Sequence, residues 1–260
     1  MQNATVSAKS PYRFKPVLPK EHGTWMMLFL PYLLGVTFSS PRAHHIPLLL
    51  GWFLLYLSSA PLLAMARNRR MTKRMMPWAI GYLSFALFFL LPVLLAHPTL
   101  LLLGSAVPLF LLVHLIFIRR RDERNLCNDL SGILTLSLGG AAAYVVGTEA
   151  LTSEAFWIVL YVVLYFMGSA FFVKSMIRER RNPRFAFSSH LYHLALIPVT
   201  WWFFPHPALL AAYMPSILKD WLTPRQSRLT PRQTGYIEIM NSLLFLFISV
   251  YALKYSGANA

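Results

Sequence analysis

Five basic segments alternate with long apolar runs along this chain, and the alternation restricts the possible fold more than any other feature. Residues 9–20, 67–74, 119–124, 174–184 and 219–232 hold 22 of the 24 lysines and arginines. A helix that crosses the ~30 Å hydrocarbon layer of a bilayer needs about 20 mostly apolar residues. The pattern therefore predicts a chain that crosses a membrane repeatedly and returns its basic loops to one side.

Nine apolar runs are candidate membrane spans. They cover residues 25–40, 46–66, 78–96, 100–118, 130–146, 156–173, 190–204, 208–218 and 236–255. Runs seven and eight are short and are separated by Pro205, His206 and Pro207, which are typical of a helix break. These two runs form either a pair of tilted spans or one re-entrant hairpin. The predicted count is nine, with seven or eight as alternatives.

The charge distribution predicts the orientation of the bundle. Lysine and arginine concentrate in the cytoplasmic loops of membrane proteins. With nine spans and a cytoplasmic amino terminus, only Arg42 and Lys254 fall on the other side. We predict an all-α, polytopic membrane helical bundle with a cytoplasmic amino terminus. Residues 1–260 form a single membrane domain, with a basic cytoplasmic segment (1–20) at one end and a short tail (256–260) at the other.

Composition excludes several classes of function. The chain is 57% hydrophobic and 13% charged, whereas a soluble domain is about 25% charged. The net charge of +15 comes from span ends, where orientation and anionic membrane lipids account for it, so no nucleic-acid partner is predicted. Cys127 is the only cysteine, which excludes an intramolecular disulfide and a multi-cysteine metal site.

Four polar clusters lie at the edges of the apolar runs, and each has two interpretations. Lys20, Glu21 and His22 precede the first run, where they either handle a phosphate or a proton or serve as a helix start at the interface. Glu238 and Asn241, three residues apart in the last run, are expected to face the interior of the bundle, because a buried acid in a membrane needs a partner.

The second cluster contains Asp122, Asn125 and Asp129, which share one face if the segment is helical. Their oxygen atoms would suit Mg²⁺. The favoured alternative is a solvated turn in which Asp122 and Glu123 pair with neighbouring arginines. Asp129 is the exception and is expected to point into the bundle.

The third cluster contains Lys174, Arg178 and Arg181, at spacings that place three cations on one helix face. Such a face can clamp a diphosphate, with arginine making bidentate contacts. It can equally serve as an orientation signal that contacts lipid headgroups. Glu179 is expected to be a structural ion-pair partner of the surrounding cations.

These clusters define a candidate site at the cytoplasmic ends of the spans. The residues proposed to hold an anionic head are Lys20, His22, Arg119, Arg124, Lys174, Arg178 and Arg181. The polar residues expected in the same cavity are Glu21, Asn128, Asp129, Glu238 and Asn241. No catalytic residue or cofactor is identified, no metal site is predicted, and Mg²⁺ is not expected.

Four segments resemble a known family. They are Lys20-Glu21-His22-Gly23, the turn from Glu123 to Leu130, the segment from Lys174 to Arg180, and Gly235-Tyr236-Ile237-Glu238. Together they are similar to the YwiC-like family of bacterial membrane proteins, over nearly the whole chain. The resemblance implies a protein of the bacterial cytoplasmic (inner) membrane and no particular activity.

A more distant resemblance is to the UbiA superfamily of membrane prenyltransferases. It implies nine helices, a cytoplasmic amino terminus and substrate loops after helices two and six. The Asp-rich sequences that hold Mg²⁺ in those loops are missing here, since residues 58–74 contain no acid and residues 174–184 contain only Glu179.

The leading hypothesis is a UbiA-like protein whose basic cytoplasmic cavity binds an isoprenoid or another amphipathic anionic ligand, with a transferase activity of unknown substrate. One alternative is a small transporter in which Glu238, Asp129 and His114 form a path across the membrane. Another is an accessory or assembly protein without catalytic activity.

Overall fold

A computed structural model gives the fold for residues 16–19 and 23–255. Helices make up the regular structure of these residues, without a strand among them. The helices are α1 (Thr24–Phe38), α2 (His45–Arg67), α3 (Thr72–Ala96), α4 (Leu100–Gly104), α5 (Ala106–Arg119), α6 (Leu126–Thr148), α7 (Ser153–Ile177), α8 (Pro183–Phe203), α9 (Pro207–Leu222) and α10 (Pro231–Tyr255). A 3₁₀ turn, Arg69–Met71, leads into α3.

The ten helices form nine rods in the described part of the chain. Only Ser105 separates α4 from α5, so these two form one interrupted rod over Leu100–Arg119. Each of the nine apolar runs in the sequence coincides with one rod. The predicted all-helical bundle is therefore confirmed.

Six of the rods in residues 16–19 and 23–255 are long and apolar enough to cross a membrane. They are α2, α3 with its 3₁₀ turn, the α4–α5 rod, α6, α7 and α10. The helix α1 is apolar but has 15 residues, and α9 has 16, which at a rise of 1.5 Å per residue corresponds to roughly 24 Å. The 21 residues of α8 form a hairpin with α9, and the two helices pack against each other. The protein is a helical membrane bundle.

Several helices extend beyond the apolar runs into the basic loops. Polar caps explain two of these extensions, because side chains can satisfy the free backbone N–H groups at a helix start. Asn125 Oδ1 accepts a hydrogen bond from the Cys127 amide at 3.0 Å, and Asn182 Oδ1 accepts one from the Phe185 amide at 3.2 Å. The extension of α6 includes Asp129, a charged residue in the first turn of the helix.

Helices α1 and α6 make a close backbone contact. A Cβ atom added to Gly35 would lie 2.1 Å from the Gly140 carbonyl oxygen, and one added to Gly140 would lie 2.6 Å from the Pro31 carbonyl oxygen. Small residues let transmembrane helices approach in this way. The helix α6 is central, since 67% of its 18-residue apolar stretch is buried. None of the corresponding stretch of the α4–α5 rod is buried, so this rod faces outward.

An aromatic core joins α7, α9 and α10. Tyr165 stacks on Phe245 with ring centroids 4.0 Å apart, and Tyr161 meets Tyr213 edge to face at 5.2 Å. The hydroxyl groups are paired inside the bundle: Tyr213 donates to the Tyr161 carbonyl at 2.6 Å, and Tyr161 donates to the Leu209 carbonyl at 3.1 Å. Such pairing is needed because lipid offers no hydrogen-bond partners.

Ion pairs define the two ends of the bundle. At one end, which we call the basic end, α2 turns into α3, α5 into α6, α7 into α8, and α9 into α10. Contacts there include Arg67 with Glu123 and Lys219 with Glu238. At the opposite end Arg42, before α2, pairs with Glu149, after α6. The described basic loops thus gather at a single end, as the charge pattern predicts.

Candidate ligand site at the basic end

A cavity of about 290 Å³ opens at the basic end between α6, α7 and α8. Its lining residues are Arg124, Leu126, Lys174, Arg178, Glu179 and Phe185. Three cations, one acid and two apolar side chains thus share one small space. We call it the head cavity.

Lys174 forms the floor of the head cavity. Its side chain is 9% exposed and makes an ion pair with Asp129, and its Nζ also donates to the Arg124 carbonyl at 2.5 Å. Asp129 lies in the first turn of α6 and Lys174 in the last turn of α7. Each charge therefore also lies at the helix end whose dipole favours it. The ion pair with Lys174 shows that Asp129 points into the bundle, as predicted.

The segment before α6 is a capped turn. Asn125 is the N-cap residue, and its amide donates to Asp122 Oδ2 at 2.8 Å. Asp122 and Asn125 therefore do not share a helix face with Asp129, and the spacing argument for three Mg²⁺ ligands on one helix is wrong. The segment is a turn, as the favoured alternative predicts, but the predicted pairing with neighbouring arginines is wrong. Glu123 pairs with Arg67 from the loop between α2 and α3, and Asp122 forms none of the ion pairs found in residues 16–19 and 23–255.

Asn128 connects the start of α6 to α5. Its side-chain oxygen contacts His114 Nδ1 at 2.7 Å, and its amide donates to the Glu123 carbonyl at 2.8 Å. Both contacts fix the turn that carries Arg124. Asn128 thus positions the edge of the head cavity without lining it.

The predicted helix face with three cations does not form. The helix α7 ends at Ile177 and Arg178 is its C-cap, so Arg181 lies in the turn that follows. Arg178 lines the head cavity, whereas Arg119 and Arg181 are exposed and are not among its lining residues. Glu179 accepts a hydrogen bond from Asn182 at 2.9 Å and forms none of the ion pairs found in the described residues. The expectation that it pairs with a cation is wrong.

Glu238 and Asn241 belong to a separate cluster between α7, α9 and α10. Glu238 is 6% exposed and accepts from Lys219 Nζ and from Ser169 Oγ, both at 2.5 Å. Asn241 donates to the Tyr165 hydroxyl at 2.7 Å. Both residues face inward as predicted, but their partners lie outside the head cavity.

A groove of about 420 Å³ runs along the outside of this second cluster, between α9 and α10. Its lining residues are Pro215, Lys219, Tyr236, Ile237, Met240, Asn241 and Leu244. The side chain of Lys219 is 8% exposed and Asn241 is buried, so the groove is apolar with two polar groups at its base. Lys219 Nζ also lies 4.4 Å from the centre of the Phe172 ring.

A third cluster centres on Asp220, which is fully buried. Asp220 accepts from Ser189 Oγ at 2.7 Å, contacts His190 Nδ1 at 2.7 Å and accepts from Arg225 Nη2 at 2.5 Å. His193 Nδ1 lies 3.6 Å away. Sequence reasoning missed this cluster because the eighth apolar run ends at residue 218, which assigned Lys219 and Asp220 to a loop. Asp220 follows Ser216 by four residues, a spacing that indicates one buried face of a longer helix.

Lys20, Glu21 and His22 lie outside the described residues. Of the other predicted site residues, the structure brings Arg124, Asp129, Lys174 and Arg178 together at the head cavity. Asn128 supports that cavity, Glu238 and Asn241 form the neighbouring cluster, and Arg119 and Arg181 remain at the surface.

Comparison with known proteins gives the family of the chain. The family model described as "YwiC-like protein" matches residues 18–144. A protein of Bacillus subtilis (strain 168), named "Uncharacterized protein YwiC", is 39% identical over 90% of this chain and 97% of its own length. An "Uncharacterized protein" of Haemophilus influenzae (strain ATCC 51907 / DSM 11121 / KW20 / Rd) is 33% identical over 92% of this chain and 99% of its own length. No solved structure matches the chain. The similarity extends over nearly the full length of both relatives, and the chain belongs to the YwiC-like family.

Proposed function

We propose that the protein binds an amphipathic membrane ligand with an anionic head, such as an isoprenoid diphosphate or another phosphorylated lipid. The observation that carries the proposal is the head cavity at the basic end, where Arg124, Lys174 and Arg178 surround one space. Arginine is well suited to this task, because its planar guanidinium makes paired hydrogen bonds to phosphate oxygens.

The charges of the cavity divide into a neutral floor and a positive rim. Lys174 is already neutralised by Asp129. Arg124 and Arg178 are exposed and take part in none of the ion pairs seen in residues 16–19 and 23–255. These two guanidinium groups are therefore the charges available to a ligand, while Lys174 keeps the floor in place.

The size of the cavity restricts what it can hold. Ligand pockets for whole small molecules are roughly 300–1,000 Å³, so about 290 Å³ suits a phosphate or diphosphate head without its hydrocarbon chain. The apolar side of the lining, Leu126 and Phe185, gives the chain a route toward the bilayer. This combination favours an amphipathic ligand over a soluble anion.

The arrangement of polar groups favours binding at one end over transport. A transport path should carry its polar groups across the membrane, usually between two inverted repeats. Here the ion pairs Lys174–Asp129, Lys219–Glu238 and Arg225–Asp220, which each include a buried residue, all lie at the basic end. His114 contacts Asn128 and also belongs to that end, so the proposed path through His114, Asp129 and Glu238 does not lead across the bundle.

The proposal is a binding function and contains no transfer step. The UbiA-like reaction needs several carboxylates around Mg²⁺, and the acid in the lining of the head cavity is Glu179. We therefore propose that the head is held by the arginines without Mg²⁺.

Binding of farnesyl diphosphate to detergent-solubilised protein, measured by isothermal titration calorimetry, tests the proposal. A charged hydrogen-bonding partner contributes about 1.5–3 kcal/mol, so Arg178→Ala should weaken binding by about tenfold or more. Arg181→Ala is the matched control, because Arg181 is a nearby exposed arginine outside the cavity, and it should leave the affinity unchanged. Addition of EDTA should have no effect. Equal affinities for the two variants, or loss of binding in EDTA, would contradict the arginine clamp.

A further inference from the structure

Two histidines meet at the end of the bundle opposite the head cavity. His44 precedes α2 and His97 follows α3, and their side chains approach with His44 Nδ1 and His97 Nε2 3.0 Å apart. The rings are nearly perpendicular, at 83°. His44 is exposed, whereas His97 is 7% exposed. One ring nitrogen of a buried imidazole therefore faces one ring nitrogen of a solvent-accessible imidazole.

We propose that His44 and His97 form a binding site for a divalent first-row transition-metal ion. The spacing of the nitrogens fits this role. Two imidazole nitrogens that each lie ~2.0–2.1 Å from one ion are about 2.9 Å apart at a right angle and about 3.4 Å apart at the tetrahedral angle. The observed 3.0 Å falls within this range, so the two nitrogens are already as far apart as they would be around one ion. To bind it, each ring would turn its nitrogen lone pair from the other ring toward the ion. Imidazole ligands suit Zn²⁺, Ni²⁺ and Cu²⁺.

The charged groups beside the two histidines compensate each other. Neutral imidazole is the form that binds metal. The neighbouring cation Arg42 is paired with Glu149, so it does not present an uncompensated charge to the ion.

His45, although adjacent, is not part of the site. Its Nε2 contacts the Ala143 carbonyl at 2.9 Å and its Nδ1 contacts the backbone of Arg42. Both nitrogens are thus engaged by the main chain. No set of three His, Cys, Asp or Glu side chains within residues 16–19 and 23–255 is arranged to hold a metal, so water would complete the coordination of an ion bound by His44 and His97.

The test is metal titration of the purified full-length protein, prepared without a histidine tag. Calorimetry with Zn²⁺ and with Ni²⁺ should show one saturable site per chain, stronger at pH 7.5 than at pH 5.5. His44→Ala should abolish that site, and because His44 is exposed this variant should fold. His97→Gln should have the same effect. With Cu²⁺, electron paramagnetic resonance should show coupling to two imidazole nitrogens.

His206→Asn is the matched control at the same end of the bundle. His206 Nδ1 accepts from the Ala208 amide at the start of α9, and asparagine is also a good helix cap. This variant should keep the metal site. The proposal is overturned if the wild-type protein shows no saturable binding, or if His44→Ala binds metal as tightly as the wild type.

Discussion

The ion pair between Lys174 and Asp129, whose side chains are 9% and 26% exposed, is the residue-level feature on which the head cavity depends. Lys174→Met leaves a partly buried Asp129 without its charged partner. Because some water still reaches Asp129, this change should cost about 1–3 kcal/mol of the free energy of unfolding. Unfolding in mixed detergent and SDS micelles measures this loss.

Two further variants make the ion-pair experiment specific. Arg67→Met breaks a pair whose side chains are 52% and 33% exposed, and it should cost no more than about 1 kcal/mol. The double variant Lys174→Met/Asp129→Leu removes both charges and should recover most of the lost stability. If Lys174→Met is no more harmful than Arg67→Met, the pair is not a structural floor of the cavity.

The sequence predicts which polar residues point into the bundle better than it predicts their partners. The inward direction of Asp129, Glu238 and Asn241 follows from polar groups beside apolar runs, because an acid in a membrane must be paired. The partner Lys219 could not be predicted, because positions 219 and 220 lie beyond the apolar run and read as a loop. The spacing of Ser216 and Asp220 indicates a longer α9, but no local pattern identifies Ser189 and His190 of α8 as the partners of Asp220.

At the level of helices, α1 and α6 pack closely at Gly35 and Gly140. Gly35→Ala and Gly140→Ala would each force a methyl group against a backbone carbonyl. Both should lower the free energy of unfolding by about 1–3 kcal/mol. The midpoint of thermal unfolding in detergent measures the effect.

Gly81→Ala is the matched control for these glycines. A Cβ atom on Gly81, inside α3, would have no heavy atom within 4 Å. Because alanine favours a helix over glycine by about 0.8–1.0 kcal/mol in water, this variant should be as stable as the wild type or more so. A loss of stability equal to that of Gly140→Ala would show that the α1–α6 contact is not specially close.

Hydropathy predicted the nine rods, but several of the apolar runs stop short of the helix termini at the basic end. Hydropathy follows the part of a helix that lies in hydrocarbon, whereas a helix continues until its backbone is capped. The helix α10 begins at Pro231, five residues before the apolar run, and α8 begins at Pro183, seven residues before it. Conversely, helical spacing predicts a cation face of Lys174, Arg178 and Arg181. That face does not form, because α7 ends at Ile177.

At the level of the whole molecule, Cys127 reports the orientation of the bundle. It is the only cysteine, is exposed and lies at the basic end. The positive-inside rule predicts that this end is cytoplasmic. A membrane-impermeant maleimide should therefore label Cys127 in inverted membrane vesicles and should not label it in intact spheroplasts.

A second cysteine position provides the control for orientation. In a Cys127→Ser background, Lys254→Cys places the thiol in the last turn of α10, at the opposite end. This variant should be labelled in intact spheroplasts. Labelling of Cys127 from outside would reverse the predicted orientation and place the head cavity on the external face.

The central claim is that the head cavity holds an anionic head between Arg124 and Arg178. An experimental structure of the protein with added farnesyl diphosphate tests this claim most directly. The account predicts density for the diphosphate within hydrogen-bonding distance of both guanidinium groups, with the hydrocarbon chain passing Leu126 and Phe185 and no metal ion at the head. Density for the head at another place, such as the α9–α10 groove beside Lys219, with the head cavity unoccupied, would contradict it.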